Sequence, residues 1–405
     1  MPIATDQILD VLRQYGITPL DDDFAEIDLP GIGEIEDGEG VYSTSLDEVL
    51  GRGDDGEIAY PDWPFADDPR MQEWLDELEE IMGGSNHVFP VRLEHRRREA
   101  PEPHCAWYYP VHFFGHGWGI YIRESCVLSN ALNIAESIDW RNVHVPHRDI
   151  WRHLLRSAFY VFFLHEQFHH KVESLGLRLL ISTASDHYRP YKANVYRPTF
   201  NTTDCIEESL ANAESYRRLN ERRYTRRVDP AIRAGLRRYL KWSIRQQPPG
   251  YREGVNFLSK APYRDGLYDL QSQMLDGRIP PSTPRAHWSV APNMITSLAD
   301  ITDDIYVVLP KGARPIFRPT SVDPGATVSS RALEGALMRH YGYRPVAGGK
   351  GSHVKLKKPG APTIILPGNR STVSPGVVKS VLDALGGYPI SRLPDVLDGK
   401  ITLHE

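Results

Sequence analysis

The most constraining feature of this chain is a long apolar helix pattern that contains a cluster of ionisable side chains. Residues 159–164 read Phe-Tyr-Val-Phe-Phe-Leu, and His-Glu-Gln-Phe-His follows directly at 165–169. The pattern predicts a helix that begins near the turn at 145–149 and ends at Leu175, with Gly176 as its C-cap. A helix that is apolar nearly all round lies in a protein interior, where three polar groups need a specific reason to be present.

The spacing of those polar groups is H-E-x-x-H, which predicts a zinc site. Residues four apart share one helical face, so the imidazoles of His165 and His169 can bind the same Zn²⁺. Glu166 is then predicted to act as the general base of a peptide hydrolysis. The alternative is a buried helix whose histidines are hydrogen-bonded within the core.

A catalytic zinc site usually has three protein ligands, so a third ligand must come from another part of the chain. We predict Glu208, because it shares one face of a later helix with Ala211 and Asn212. The amide of Asn212 is expected to orient a ligand histidine. Glu207, about 100° away on the same helix, is the weaker candidate.

These residues resemble the gluzincin branch of zinc metallopeptidases, whose third ligand is the Glu of an E-x-x-A-[DN] stretch on a later helix. The resemblance covers roughly residues 105–220 and implies a zincin-like core, Zn²⁺ as cofactor and a peptide or protein as substrate. A strand predicted over 118–122 is the expected sheet edge for an extended peptide. Four candidates for the oxyanion donor stay unranked: His112, His116, His187 and Tyr188.

The charge is distributed unevenly along the chain. Residues 1–90 contain 24 Asp and Glu against 3 Arg, or −21, and the remaining 44 Lys and Arg against 29 Asp and Glu give +15. This split favours contact between the acidic segment and a basic surface of the same chain, or a basic face reserved for nucleic acid. A solvated acidic surface is the alternative.

The predicted fold class is α+β. Composition divides the chain into an acidic N-terminal segment (1–90), a zincin-like domain (91–275), a Pro-rich linker with a short β segment (276–327) and a C-terminal module (328–405). Between residues 217 and 245 there are eleven basic residues and two acidic ones. Amphipathic helices with exposed arginines explain this run most simply, and a contact with nucleic acid or phosphate is the functional alternative.

The cysteines and the chain start bear on the compartment. The three cysteines, Cys105, Cys126 and Cys205, have no paired spacing and are predicted to be free thiols. The first residues are acidic and lack the apolar core of a secretory signal, and no apolar run approaches the length of a membrane span. We therefore expect a cytoplasmic protein without a membrane partner.

The C-terminal module is predicted as a helix, two strands and a second helix, at 330–341, 352–356, 362–366 and 374–385. The Gly-Ser-His sequence at 351–353, together with Leu-Pro at 366–367 and the last helix, resembles the HicA (YcfA-like) mRNA interferase family. The resemblance implies a double-stranded-RNA-binding-like fold with His353 as the catalytic residue. The candidate nucleic-acid contacts are Lys350, Ser352, His353 and Lys355.

Cleavage by this module is less favoured than binding of RNA or DNA, because Gly368-Asn369 occupies the region of the family's second histidine. The leading hypothesis is a zinc metallopeptidase joined to a HicA-like nucleic-acid-binding or regulatory module, in a toxin, phage-defence or stress system. One alternative is a HicA-like ribonuclease toxin on a zinc-binding scaffold. Another is an RNA-binding regulator with a closed structural metal site that Cys205 completes.

Overall fold

The computed structural model describes residues 5–19, 29–50, 68–83, 104–277, 294–317, 319, 328–346, 353–367, 373, 375–388 and 392–401. Helices and two small sheets make up these residues, in agreement with the predicted α+β class. None of the helices in the described ranges is both long enough and apolar enough to cross a membrane.

Within the described residues, the larger sheet has four strands in the order β1-β4-β3-β2. The strands are β1 (Glu39–Thr44), β2 (Ala106–Tyr109), β3 (Gly119–Arg123) and β4 (Ile305–Pro310). β3 pairs in parallel with β4 and antiparallel with β2, and all its residues are buried. The prediction that residues 118–122 form a sheet edge is therefore wrong. Among the described strands, β2 holds the end position because β4, from a distant part of the chain, covers the other side of β3.

The principal helices are α1 (Thr5–Gln14), α2 (Leu46–Leu50), α3 (Pro69–Gly83), α4 (Glu124–Ala135), α5 (His147–Thr183), α6 (Ile206–Arg217), α7 (Pro230–Gln246) and α8 (Lys260–Asp276). Short helical turns occupy Val111–Phe114, Gly115–Gly117, Trp140–Asn142, Arg218–Asn220, Arg222–Thr225 and Arg252–Phe257. One further helical segment consists of Tyr188–Tyr191, Lys192–Tyr196 and Arg197–Thr199, and its middle part is a π-helix.

The helix that carries the H-E-x-x-H sequence, α5, is longer than predicted. It continues about two turns beyond Gly176 and ends at Ala184, whose φ of 55° is left-handed. A Cβ at Gly176 would lie 2.7 Å from the Cβ of Tyr188. Gly176 is therefore a close-packing position within the helix, and its prediction as the C-cap is wrong.

The main hydrophobic core combines three of the predicted parts of the chain. Leu12 and Trp74 from the acidic segment, Phe159 from α5 and Val307 from β4 all belong to one buried cluster. The predicted boundaries at 90 and 276 therefore do not coincide with the limits of this core. Both outer parts also supply a strand to the main sheet.

Two of the three cysteines differ from the prediction. Cys105 and Cys126 form a disulfide with a Cα–Cα distance of 5.5 Å, so their prediction as free thiols is wrong. Cys105 precedes β2 and Cys126 lies in the first turn of α4 after β3, and the antiparallel pairing of these strands brings them together. Cys205 is a buried free thiol, as predicted.

The C-terminal residues form a separate small core. Its buried side chains all lie between residues 328 and 401. The elements are α9 (Ser330–His340), β5 (Arg344–Pro345), β6 (His353–Lys357), β7 (Ile364–Pro367), α10 (Pro375–Ala384) and a short helix, Leu393–Leu397. The predicted order of helix, two strands and helix is present, and the short β5 pairs with β6.

Candidate metal centre

Helices α5 and α6 bring the three predicted ligands together. His165 Nε2 lies 3.1 Å from Glu208 Oε2, and His169 Nε2 lies 3.6 Å from Glu208 Oε1. One ligand atom from each residue lies within 4.8 Å of the other two. The four-residue spacing on α5 puts both imidazoles on the face that packs against α6, where Glu208 is buried.

Each histidine of this trio is held by a second residue of α6. His165 Nδ1 lies 3.0 Å from Asn212 Oδ1, as expected from the sequence. His169 Nδ1 lies 2.7 Å from Glu207 Oε1, so Glu207 contacts the ring nitrogen of His169 that is not directed at Glu208. Partners of this kind fix the tautomer and the orientation of metal-binding histidines.

The amide of Asn212 is itself held in place. Its Nδ2 donates to Gln247 Oε1 at 2.5 Å and to the backbone carbonyl of Tyr251 at 2.9 Å, which leaves Oδ1 directed at His165. The amide of Asn212 is therefore held in the orientation in which its oxygen faces His165. The ring of Tyr251 is nearly parallel to that of His165, with centroids 6.0 Å apart.

A tyrosine and a lysine complete the surroundings of Glu208 and Glu207. The Tyr196 hydroxyl donates to Glu208 Oε1 at 2.5 Å. The Lys192 ammonium donates to Glu207 Oε1 at 2.9 Å and lies 3.6 Å from the centre of the Tyr196 ring. No local sequence pattern pointed to Lys192, Tyr196 or Tyr251, since all three lie in helical turns without a recognisable spacing to His165.

Buried negative charge dominates the electrostatics of the cluster. Burial alone would raise the pKa of Glu208, but the rings of His169 and His165 hold it well below its usual range. Burial likewise opposes a charged His169, but the carboxylates of Glu208 and Glu207 raise its pKa to about 10. A cation is therefore stabilised between these carboxylates.

His165, His169 and Glu208 line a cavity of about 240 Å³, and Glu166 lines the same cavity. The Glu166 side chain is buried, and burial raises the pKa of its carboxyl. Among the described residues, no side chain or backbone group hydrogen-bonds this carboxylate. Apolar residues of α5 and α7 line one side of the cavity: Val161, Phe162, Leu240 and Ile244.

The N-terminal segment supplies another wall of this cavity, formed by residues 29–32. A Cβ at Gly31 would lie 3.2 Å from the Tyr196 hydroxyl, and Gly33 packs against the indole of Trp107 on β2. The Tyr109 hydroxyl donates to the Gly33 carbonyl at 2.8 Å. This segment therefore crosses between β2 and the helical turn that carries Tyr196.

The donor set fits a first-row divalent metal such as zinc. Two imidazole nitrogens and a carboxylate oxygen converge, each histidine is oriented through its other nitrogen, and a carboxylate without a hydrogen-bond partner lies in the same cavity. Cys205 does not join this cluster within the described residues. The structure therefore brings together the three predicted ligands, Glu166 and Asn212.

Two further histidines of α5, His153 and His170, lie away from the cavity, as do three of the four oxyanion candidates, whereas the side chain of His116 lies outside the described part of the structure. His170 contacts the Tyr108 hydroxyl and the Ala299 carbonyl, and His153 Nδ1 accepts from the Asp229 amide, in line with structural roles. His112 is bound by the buried carboxylate of Glu173 at 2.6 Å. Of the other oxyanion candidates, His187 contacts Thr183 and Tyr188 is buried, and neither lines the cavity.

The predicted nucleic-acid contacts of the C-terminal module are only partly within the described residues. Lys350 and Ser352 lie outside them. His353 is the first residue of β6, and Lys355 and Lys357 follow at alternate positions of the same strand. Leu356, on the opposite face, is buried in the small core, so Lys355 and Lys357 lie on the face away from that core.

Comparison with known proteins identifies the C-terminal module. Residues 335–386 match the family model described as HicA toxin of bacterial toxin-antitoxin. These residues therefore form a HicA toxin domain, within the module of α9, β5 to β7 and α10. No match was found among curated proteins or among solved structures.

Proposed function

We propose that the cavity between α5, α6 and β2 is the active site of a zinc-dependent peptidase. The observation that carries this proposal is the convergence of His165, His169 and Glu208 beside the unpartnered carboxylate of Glu166. Bound zinc would supply Lewis-acid polarisation of the substrate carbonyl and a lowered pKa for water.

Glu166 is the proton carrier in this proposal. Its carboxylate accepts a proton from the attacking water at an Oε atom and delivers it to the nitrogen of the leaving amine. Burial raises the pKa of this carboxyl, which favours holding the proton between the two transfers. The Tyr196 hydroxyl donates a hydrogen bond to Glu208 and so holds this proposed third ligand in place.

The edge of β2 supports a peptide as the substrate. The Arg123 amide donates to the Cys105 carbonyl, so these two residues form a hydrogen-bonded pair. Counting from Cys105, every second residue of β2 therefore directs its backbone N–H and C=O at β3. The backbone groups of Ala106 and Tyr108 then point away from β3, and both residues line the cavity. An extended peptide can pair with this edge and pass Glu166.

The test measures zinc content and hydrolysis together. We expect about one zinc per chain in the wild type and its loss in His169→Ala and Glu208→Ala. Glu166→Gln should retain zinc and lower the cleavage of a fluorogenic peptide library by about 10²–10⁴-fold. Glu214→Gln removes another buried α6 carboxylate outside the cavity and should retain both properties per folded molecule. Zinc-free wild-type protein, or unchanged cleavage in Glu166→Gln, refutes the proposal.

A second candidate function belongs to the HicA toxin domain at residues 335–386. We propose that this domain binds RNA, with Lys355 and Lys357 toward the phosphates, in a toxin or defence system in which it regulates the peptidase site. If the chain is instead a ribonuclease toxin, His353→Ala should abolish RNA cleavage by the full chain and Glu166→Gln should not. The acidic N-terminal segment, which already pairs Asp47 with Arg223, is proposed to shield part of the basic surface.

A further inference from the structure

Helix α7 carries a line of cations on its outer side. Arg233, Arg237, Lys241 and Arg245 recur at every fourth residue, and we refer to these four as the basic ridge. Successive residues at this spacing are neighbours on a helix surface. The residue before each of these four is apolar and buried, about 100° away around the helix: Ile232, Leu236, Leu240 and Ile244.

The basic ridge has no carboxylate partner among the described residues. Helix α7 contains no acidic residue. Arg233 donates to the Val228 carbonyl, Arg237 contacts Asn220, and Lys241 and Arg245 are exposed.

Like charges four residues apart repel one another, so the ridge lowers the stability of α7. Nearby arginines outside the basic ridge do have carboxylate partners: Arg218 pairs with Glu221, and Arg223 pairs with Asp47. Repulsion that is left uncompensated in the folded chain is relieved when an external polyanion binds.

The spacing of the ridge fits a regular line of anions. Four residues advance a helix by about 6 Å, so the ridge extends over about 18 Å. Nucleic-acid strands present one phosphate for about every 3.4 Å of axis, so the ridge matches about five nucleotides of a strand. Arginine also suits phosphate because its planar fork donates two parallel hydrogen bonds.

We infer that the outer face of α7 is a docking surface for the phosphate backbone of a nucleic acid, separate from the C-terminal module. The inner face of the same helix lines the candidate peptidase cavity through Leu240 and Ile244. A nucleic acid on the basic ridge therefore lies on the outer side of a cavity wall. The inference does not depend on whether that cavity hydrolyses peptides.

The test is binding of the full chain to labelled duplexes of about 20 base pairs, RNA and DNA of one sequence, by fluorescence anisotropy between about 50 and 200 mM salt. The main variant replaces Arg237, Lys241 and Arg245 with Gln. We expect at least about tenfold weaker binding and a salt slope reduced by about three. A loss shared by RNA and DNA indicates recognition of the backbone, and a loss with one of them identifies the preferred nucleic acid.

Three controls keep the result interpretable. Arg252→Gln/Lys260→Gln/Arg264→Gln removes the same charge from exposed positions outside α7 and should change affinity by less than about twofold. Lys241→Gln/Arg245→Gln alters only the exposed end of the basic ridge. If the triple variant unfolds, this double variant tests whether the ridge binds the duplex. Polyglutamate is added as a competitor, because an acidic protein is the other class of polyanion.

Several results would overturn the inference. These are no binding at the lowest salt, equal losses in the ridge and control variants, or a loss confined to Lys355→Gln/Lys357→Gln in the C-terminal module. Displacement of the duplex by polyglutamate at equal charge concentration would also overturn it, in favour of an acidic protein segment.

Discussion

Glu207 is predicted to support the candidate metal centre without being a ligand. Its carboxylate accepts from the Tyr191 hydroxyl at 2.8 Å and from the Lys192 ammonium at 2.9 Å, and it lies 2.7 Å from His169 Nδ1. Glu207→Gln removes the charge that holds His169. Because loss of such an outer partner typically costs 10–100-fold in metal affinity, we expect zinc binding to weaken by about 1.4–2.7 kcal/mol.

Glu214, two turns further along α6, provides a matched control. It accepts from the Lys171 ammonium at 2.5 Å and from the Tyr263 hydroxyl at 2.7 Å, which reproduces the lysine and tyrosine of Glu207 without the histidine. Either Gln variant leaves an ammonium that is buried (Lys192) or mostly buried (Lys171) without its carboxylate, at about 3–5 kcal/mol of folding stability. Glu214→Gln should therefore be destabilised similarly and retain wild-type zinc affinity.

The assay is competition for zinc against a chromophoric chelator, with urea unfolding of the metal-free proteins in parallel. The expected pattern is a shared loss of stability and a loss of zinc affinity in Glu207→Gln alone. Equal zinc affinities in the two variants would refute the argument, because the contact with His169 would then contribute nothing beyond the buried ion pair.

Three further predictions concern stability. Burial raises the pKa of Glu124 to about 7, above its unfolded value, so its stabilising contribution is complete below about pH 4.5. It is then lost as the pH rises through 7, by about 3 kcal/mol, and urea titrations should show a flatter profile for Glu124→Gln. Gly235→Ala should destabilise α7 by about 1–3 kcal/mol, because its Cβ would lie 2.5 Å from Ile138, whereas Gly335→Ala has room and should stabilise α9 by about 0.5–1 kcal/mol in thermal melts.

The convergence of His165, His169 and Glu208 could be predicted because the information for it is local. The four-residue spacing of His165 and His169 indicates that they share one face of α5. The same spacing indicates that Glu208 and Asn212 share one face of α6. The residues around them could not be found in this way. Tyr251 reaches His165 only because the helical turn Arg252–Phe257 packs against α6 and α7, and no periodicity in the sequence encodes that arrangement.

Non-local pairing explains where the sequence-based predictions failed. β1 pairs with β4 across more than two hundred residues, from Glu39 opposite Pro310 to Thr44 opposite Ile305. The composition of each region indicated an acidic segment and a linker, and neither indicates a shared sheet. The Cys105–Cys126 disulfide depends likewise on the pairing of β2 with β3, which their 21-residue separation does not reveal.

The position of residues 29–35 shows that the acidic N-terminal segment is part of the candidate active site. The guanidinium of Arg123, at the end of β3, donates to the Glu34 carbonyl and pairs with Glu39 at 3.0 Å, which fixes this segment beside β2. Residues 29–32 then form a wall of the cavity that Glu166 lines. A chain that began at residue 91 would lose this wall and β1 together, so the peptidase proposal can be tested only on a chain that retains the first ninety residues.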